Sequence, residues 1–270
     1  MEPDWFEEKD RDERIRHELR LFFVALQFFT RLPVPRWVGY DPRWLSQAAR
    51  YFPAVGLAVG ILIALVYVLA TLLLPQAVAV LLSMVAGLLL TGAFHEDGFA
   101  DTCDGFGGGS TPERVLEIMK DSRIGAYGAI GIMLMLALKA TTLATLPPAT
   151  VVAALVLAHP LSRLCAVSLI WRMTYVRDEG KSKPIAERMS TREFGIAMMS
   201  VIPVLLLVLI SGWIPFAGLV MGGLLAAAGL FWMTRICQRR LGGYTGDCLG
   251  AVQQLTELAF YLGVLTAVAY

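Results

Sequence analysis

The chain has 270 residues, of which 57% are hydrophobic and 17% are charged, and its formal net charge is +1. Its mean hydropathy of +0.63 is too high for an ordinary water-soluble domain. The composition therefore predicts an integral membrane protein, and no nucleic-acid partner is expected.

The N-terminal segment, residues 1–20, is a mixed-charge extension without the apolar core of a signal peptide. The first membrane spans must therefore act as the insertion signal. Residues 19–30 are apolar but number only about twelve, which is too few to cross the hydrocarbon core of a bilayer. This stretch favours a short interfacial or re-entrant helix.

Apolar stretches of about 20 residues, long enough to cross a bilayer as helices, occupy most of the remaining sequence. Seven spans are predicted, at residues 51–74, 76–94, 124–146, 149–171, 196–213, 214–234 and 254–270. Six or eight also fit, because the last stretch is short and only a brief break separates the fifth from the sixth. The expected fold class is all-α, a polytopic membrane bundle in which residues 1–270 form one catalytic domain.

The charged residues are divided unevenly between the two ends of these spans. Of the 23 lysines and arginines, 21 lie before residue 51 and in the stretches 95–123, 172–195 and 235–253. Because basic residues mark the cytoplasmic side of a membrane protein, the N-terminus and all three charged loops are predicted to face the cytoplasm. Asp247 and Glu257 are assigned to the last of these loops, which leaves no acidic residue in the middle of the membrane.

The segment 95–123 is predicted to be an acidic catalytic loop. Asp97, Asp101 and Asp104 have a spacing that would place them on one face of a helix, and Glu96 stands beside them. Crowded carboxylates favour a hard divalent cation, and Mg²⁺ commonly lies between acidic side chains and substrate phosphates. The four carboxylates are candidate metal ligands, and His95 is a candidate general base or a residue that holds the loop.

The residues that follow suggest phosphate recognition, although a solvated connector is the simpler alternative. Gly107 and Gly108 belong to a glycine run that could form an anion-binding nest before a short helix capped by the Ser110–Glu113 sequence. Asp121 and Arg123 lie at the mouth of the third span, where the planar Arg123 side chain could clamp a phosphate or only anchor the span.

Three further polar positions fall within or beside the later spans. Arg163 lies about 12 Å inside its span, where an arginine is a candidate functional residue. Lys139 is expected to be structural. At the start of the last span, a glycine-rich turn precedes Asp247 and Gln254, which share a helical face. The turn fits helix packing, and it also fits a substrate site; the candidate binding residues here are Gly243, Thr245, Asp247 and Gln254.

Several separated motifs resemble one known family. The sequences HEDGFADTCDG, EIMKDSRIGAYG and LGGYTGDCLGA, in this order, are similar to those of the cobalamin synthase family, the adenosylcobinamide-GDP ribazoletransferases. The resemblance implies transfer of the adenosylcobinamide phosphate moiety from adenosylcobinamide-GDP to α-ribazole or its 5′-phosphate, with release of GMP in the presence of Mg²⁺. It also implies a bacterial inner-membrane location, contact with membrane lipid, and association with further copies of the chain or with other cobalamin-assembly enzymes.

There are two alternatives, of which the first is another enzyme and the second belongs to a different functional class. A lipid-type phosphotransferase would also place spaced aspartates at a membrane edge, but its Asp-Gly-x-x-Ala-Arg pattern does not match this segment. A cation transporter would place carboxylates at mid-membrane, where the predicted spans have none. Metal-dependent release of GMP from adenosylcobinamide-GDP would distinguish the three functions.

Overall fold

The computed structural model describes residues 4–39, 41–177 and 189–268, and in these ranges it contains only helices, turns and one isolated backbone bridge. The α-helices, in chain order, are α1 Asp4–Phe29, α2 Pro42–Ala48, α3 Phe52–Thr71, α4 Gln76–Thr91, α5 Phe94–Gly108, α6 Pro112–Ile118, α7 Ala126–Thr145, α8 Pro148–Arg172, α9 Thr191–Ser211, α10 Phe216–Leu241 and α11 Gly246–Val268. The all-α prediction is confirmed.

The predicted spans correspond to helices of sufficient length. In the described ranges six helical segments are long and apolar enough to cross a membrane, and the total is seven if the bent pair α4 and α5 is counted as one span. The prediction of about seven spans is therefore confirmed. The last span begins at Gly246 and not at residue 254, because the glycine-rich turn ends earlier than hydropathy suggested.

The N-terminal part of the chain differs from the prediction. Residues 1–20 and 19–30 were expected to be an extension and a separate short helix, but Asp4–Phe29 is one continuous helix of 26 residues. No proline or glycine interrupts this stretch, so nothing in the local sequence ends the helix where the charged residues give way to apolar ones.

A sharp corner between α4 and α5 sets the direction of the acidic segment. Gly92 and Ala93 both adopt left-handed backbone angles, with φ of +67° and +57°. This conformation is unusual for alanine, and it turns α5 by 89° from α4. As a result α5 leaves the direction of the spanning helices and lies across the beginnings of α7 and α11.

The centre of the bundle is formed by α8 and α11. In their most apolar windows 78% and 72% of the residues are buried, against 22% for α9 and for α10. Close approach depends on small residues: a Cβ atom on Gly56 of α3 would lie 2.9 Å from the Arg163 side chain, and one on Gly98 of α5 would lie 3.0 Å from the Cα of Asp247. These contacts bring α3 against α8, and α5 against the start of α11.

Candidate active site

The acidic segment is a helix and not a loop as far as Gly108. Asp97, Asp101 and Asp104 therefore do follow one another along one face, as their spacing predicted. Because Gly98 allows α5 to touch α11, the carboxyl group of Asp247 joins this face from the neighbouring helix. We call the site formed by Asp97, Asp101 and Asp247 the carboxylate cluster.

The electrostatics of the carboxylate cluster reflect crowded negative charge. Burial, together with the charges of Asp247 and Asp97, raises the pKa of Asp101 from 3.8 to about 7, while Arg177 acts in the opposite direction. Asp101 lies on α5, beyond the 89° corner that turns this helix away from α4. A carboxyl group with a pKa near 7 is poised between its charged and neutral forms, which is a property common in functional sites.

Asp104 has a structural partner that the sequence did not reveal. Its two carboxylate oxygens accept hydrogen bonds from the backbone N–H groups of Gly125, at 2.7 Å, and Gly128, at 2.8 Å. These groups are free donors at the start of α7, so Asp104 caps that helix from a different part of the chain. A Cβ atom at either glycine would overlap the Asp104 carboxylate. Its predicted role as a metal ligand stays a prediction.

Glu96 points away from bulk solvent and into the bundle. Gln254 Nε2 of α11 donates to Glu96 Oε1 at 2.8 Å, and Lys139 Nζ of α7 donates to Gln254 Oε1 at 2.7 Å. Lys139 also pairs with Glu257 at 2.8 Å, with both side chains no more than 6% exposed. A continuous chain of polar contacts thus runs from the carboxylate cluster's helix to the centre of the membrane bundle.

This chain of contacts corrects one prediction and refines another. Glu257 was assigned to a loop, but it lies eleven residues into α11, about 17 Å from the helix start, and is only 4% exposed. An acidic residue is therefore present at mid-membrane. The expected lack of carboxylates in the spans can no longer be used as an argument against a transporter. Lys139 is structural in the sense that it neutralises this carboxylate.

The side chains of His95 and Arg163 are buried in the interior of the protein. The His95 ring stacks on Phe29, with centroids 5.2 Å apart, and the side chain is buried. Arg163 is 2% exposed and donates to the backbone oxygen of His159 at 3.1 Å, while its Nε has no partner among the described residues. Both line a cavity of about 50 Å³, together with Glu96, Lys139 and Glu257. Their predicted roles toward phosphate and proton transfer are not tested by this arrangement.

The glycine run does not form the expected loop. Gly107 and Gly108 lie in the last turn of α5, and a Cβ atom on Gly107 would overlap the ring of Tyr127. The run permits helix packing, so its backbone N–H groups do not form the predicted nest. The next helix, α6, is capped by Thr111 and not by Ser110, with the Arg114 N–H donating to Thr111 Oγ1 at 3.3 Å.

Asp121 and Arg123 form a pair with each other at the protein surface. Arg123 Nη2 lies 2.7 Å from Asp121 Oδ2, and the arginine side chain is 87% exposed. The hydrogen bond from Arg123 lowers the pKa of Asp121 to about 2. The predicted phosphate clamp at Arg123 therefore lies on an open surface and outside the carboxylate cluster.

The turn before α11 is fixed by the segment that leaves α8. Tyr244 N–H donates to the Thr174 oxygen and Val176 N–H to the Tyr244 oxygen, each at 3.0 Å. Gly243 is required here, because a Cβ atom would overlap the Thr174 oxygen. Thr245 is fully buried and accepts a hydrogen bond from Cys248 N–H at the start of α11. Gly243 and Thr245 thus position Asp247.

Sequence reasoning missed Arg177. Its Nη2 lies 2.7 Å from Asp247 Oδ2, and its side chain is only 12% exposed. The backbone pairing of residues 174–176 with Tyr244, which brings Arg177 to the cluster, has no signal in hydropathy or in motif spacing. The neighbouring residues 178–188, part of the third charged loop, lie outside the described ranges.

The donor chemistry of the cluster suits magnesium, although no ready-made cage is present. In the described ranges, no three His, Cys, Asp or Glu side chains are close enough to hold a metal ion together. Mg²⁺, however, is usually bound by one or two carboxylates and completes its shell with water and substrate phosphates. Asp97 and Asp101, one helical turn apart, supply such carboxylates, and burial together with the neighbouring Asp247 and Asp97 charges raises the pKa of Asp101.

Taken together, the fold and the site define a polytopic helical membrane protein that gathers carboxylates and an arginine at one end of its bundle. The sequence model of the family described as cobalamin-5-phosphate synthase matches residues 21–265. The chain therefore belongs to that family.

Full-length relatives support the same assignment. The chain is 50% identical to the adenosylcobinamide-GDP ribazoletransferase of Shewanella frigidimarina, over 92% of this chain and 95% of the relative. It is 47% identical to the protein of the same name from Leptothrix cholodnii, over 93% and 97%. No solved structure matches the chain. Family membership makes the protein a transferase of cobalamin biosynthesis, and with it the transporter alternative is set aside.

Proposed function

We propose that this protein transfers the adenosylcobinamide phosphate moiety of adenosylcobinamide-GDP to α-ribazole, or to its 5′-phosphate, and releases GMP with the help of Mg²⁺. The names of the relatives supply the substrates. The observation that carries the proposal is the carboxylate cluster, in which Asp97, Asp101 and Asp247 lie near enough to act on each other's charge, beside Arg177. Such a grouping of acidic and basic side chains suits a diphosphate substrate and a divalent cation.

The chemistry requires one bond to form and one to break. The ribazole hydroxyl attacks the phosphorus nearer the corrinoid, the bond from that phosphorus to the bridging oxygen breaks, and GMP leaves with the electron pair. When bound by Asp97 and Asp101, Mg²⁺ would neutralise charge on the diphosphate oxygens.

A base must accept the proton of the attacking hydroxyl, and we assign it to the carboxylates at this end of the bundle. His95 suits the role less well than its sequence position suggested, because its ring stacks on Phe29 in the aromatic interior.

The membrane setting completes the proposal. We assign the end of the bundle that carries the carboxylate cluster to the cytoplasmic side of the bacterial inner membrane, because the basic residues lie at that end. Nucleotide substrates would then reach the site from the cytoplasm. The apolar outer faces of α9 and α10, which expose residues such as Leu207, Ile210 and Phe231, would contact lipid.

The proposal is tested with Asp97→Asn in the purified, detergent-solubilised protein. We expect GMP release from adenosylcobinamide-GDP and α-ribazole to fall by at least 100-fold, the order of loss seen when one transition-state charge contact is removed. Asp12→Asn, a change on the exposed surface of α1, is the matched control. Wild-type rates in Asp97→Asn, or rates that do not respond to removal of Mg²⁺ by EDTA, would refute the metal assignment.

A further inference from the structure

The C-terminal end of α5 is held by Arg240, a residue in the last turn of α10. Arg240 Nη1 donates to the Phe106 oxygen at 3.0 Å, and Nη2 donates to the Gly109 oxygen. The guanidinium also lies over the Phe106 ring, 5.6 Å from its centroid. The last carbonyl groups of a helix have no partner within that helix, and a cation beside them is favourable. The planar fork of Arg240 therefore caps α5 from another part of the chain.

The pair of helices α10 and α11 is bonded to α5 at both ends of that helix. Only residues 242–245 separate α10 from α11, so the two form a hairpin. At the start of α5, Gln254 Nε2 of α11 donates to Glu96 Oε1 at 2.8 Å. At the end of α5, Arg240 of α10 supplies the two bonds described above. Asp97 and Asp101 lie between these two attachments, and Asp247 lies on the hairpin itself.

Two attachments constrain the direction of α5 more than one does. Held at Glu96 alone, the helix could pivot about its start, whereas directional hydrogen bonds at the other end prevent that motion. Phe106 lies ten residues beyond Glu96, about 15 Å along the axis, and Asp101 lies halfway. A shift of about 2 Å at Phe106 would therefore move Asp101 by about 1 Å, and a misplacement of about 1 Å can cost about 100-fold in rate. The hydrogen bonds of Asp104 join α5 to α7 and not to the hairpin.

We propose that Arg240 is a positioning residue for the carboxylate cluster. By holding the end of α5, it fixes the angle of this helix to α11 and thereby the distance of Asp101 from Asp247. Arg240 acts through the backbone of α5 and not on the reacting atoms. The importance of this distance for the metal ion rests on the proposed function, whereas the attachment of α5 rests on the hydrogen bonds alone.

The test uses Mn²⁺ alone as the probe, titrated into the full-length purified protein and followed by the electron paramagnetic resonance signal of the free ion. Arg240→Met removes both hydrogen bonds, so we expect Mn²⁺ binding to weaken at least tenfold and kcat for GMP release to fall by a similar factor. Measured well below the unfolding temperature of each variant, a purely structural role would change neither value. Arg240→Lys keeps the charge but loses the fork, so partial recovery is expected. The matched control is Arg239→Met, which removes the exposed neighbouring arginine.

The proposed function and the role of Arg240 fail separately. If the wild type binds Mn²⁺ but releases no GMP, while Arg240→Met loses Mn²⁺, the function fails and the positioning role stands. If Arg240→Met binds Mn²⁺ and turns over as Arg239→Met does, the inference is overturned. If the wild type is active but binds Mn²⁺ only with substrate, an unchanged kcat in Arg240→Met overturns the inference, and a wild type that does neither overturns both. Should Arg240→Met not fold, Arg240→Lys decides, because wild-type behaviour of that variant overturns the role of the fork.

Discussion

The ion pair between Lys139 and Glu257 gives the most specific prediction about stability. The two side chains are 6% and 5% exposed and lie 2.8 Å apart in the interior of the bundle. Among the described residues, Lys139→Met would leave the Glu257 carboxylate with hydrogen bonds from Gln253 and Tyr261, at 2.6 and 3.2 Å, and with His159 Nδ1 3.6 Å from Oε2. Breaking a buried pair from one side typically costs about 3–5 kcal/mol, because the remaining charge is uncompensated.

The double variant Lys139→Met with Glu257→Gln should behave differently from the single one. Replacing both charges removes the uncompensated carboxylate, so we expect it to recover most of the lost stability. With a shift of about 2–4 °C per kcal/mol for a chain of this size, Lys139→Met should unfold about 6–20 °C below the wild type, and the double variant within about 5 °C of it.

The assay is thermal unfolding in detergent, followed by the fraction of protein that stays monodisperse after heating. Lys120→Met is the control, because Lys120 is exposed at the protein surface. The reasoning is refuted if Lys139→Met unfolds at the same temperature as Lys120→Met, or if the two single changes at Lys139 and Glu257 add together in the double variant. Either result would mean that the pair does not carry buried charge.

Three further predictions concern the carboxylate cluster and its supports. With EDTA present, the unfolding temperature should fall as the pH rises from about 4 to 7. The reason is that the pKa of Asp101 is raised in the folded protein, which keeps a proton that the unfolded chain has already released in this pH range. Asp101→Asn should reduce this pH dependence. Gly243→Ala should lower activity and stability, because the new methyl group overlaps the Thr174 oxygen and displaces the turn before α11. The control is Gly223→Ala, which has open space around it and should be neutral or slightly stabilising. Asp104→Asn should lower the free energy of unfolding by about 1–2 kcal/mol, and with it the unfolding temperature, because one of the two acceptors that cap α7 is lost.

Each of these has a result that contradicts it. A pH profile of unfolding that is unchanged in Asp101→Asn would mean that another group carries the dependence. Equal activity and stability of Gly243→Ala and Gly223→Ala would show that the close approach to Thr174 is not required. If Asp104→Asn unfolds at the temperature of the wild type while activity is lost, Asp104 acts on the substrate or metal and not as a cap.

Hydropathy predicted most of the bundle, because a span must be apolar over about 20 residues whatever it packs against. It failed at α1, where a charged and an apolar stretch form one helix, and at the start of α11, where polar residues enter the bundle. In both places the backbone continues as a helix across a change in side-chain polarity. Polarity sets where a helix lies, but capping and breaking residues set where it ends.

The spacing of the aspartates predicted the acidic face of α5, but it did not predict which residues these aspartates contact. The intervals between Asp97, Asp101 and Asp104 are local, and a helix brings them into line. The hydrogen bonds of Asp104 to the start of α7 and the contact of Asp247 with Arg177 join residues far apart in sequence. The corner at Ala93, with its left-handed backbone, directs α5 and so the contacts of Asp104, and alanine gives no sign of that conformation. The contact of Asp247 with Arg177 depends on the backbone pairing of residues 174–176 with Tyr244, which has no sequence signal either.

The helix α11 links the intramembrane charges to the carboxylate cluster. It carries Asp247 in its first turn, Gln254 two turns further and Glu257 one turn beyond that. Rotating α11 about its axis would break the contacts of Gln254 and Glu257 with Lys139, and in a low-dielectric interior each lost contact is costly. The buried pair therefore fixes the rotation of α11 and, through it, the direction in which Asp247 points. A reaction on water-soluble phosphates thereby gains a rigid acidic site from the packing of a membrane bundle.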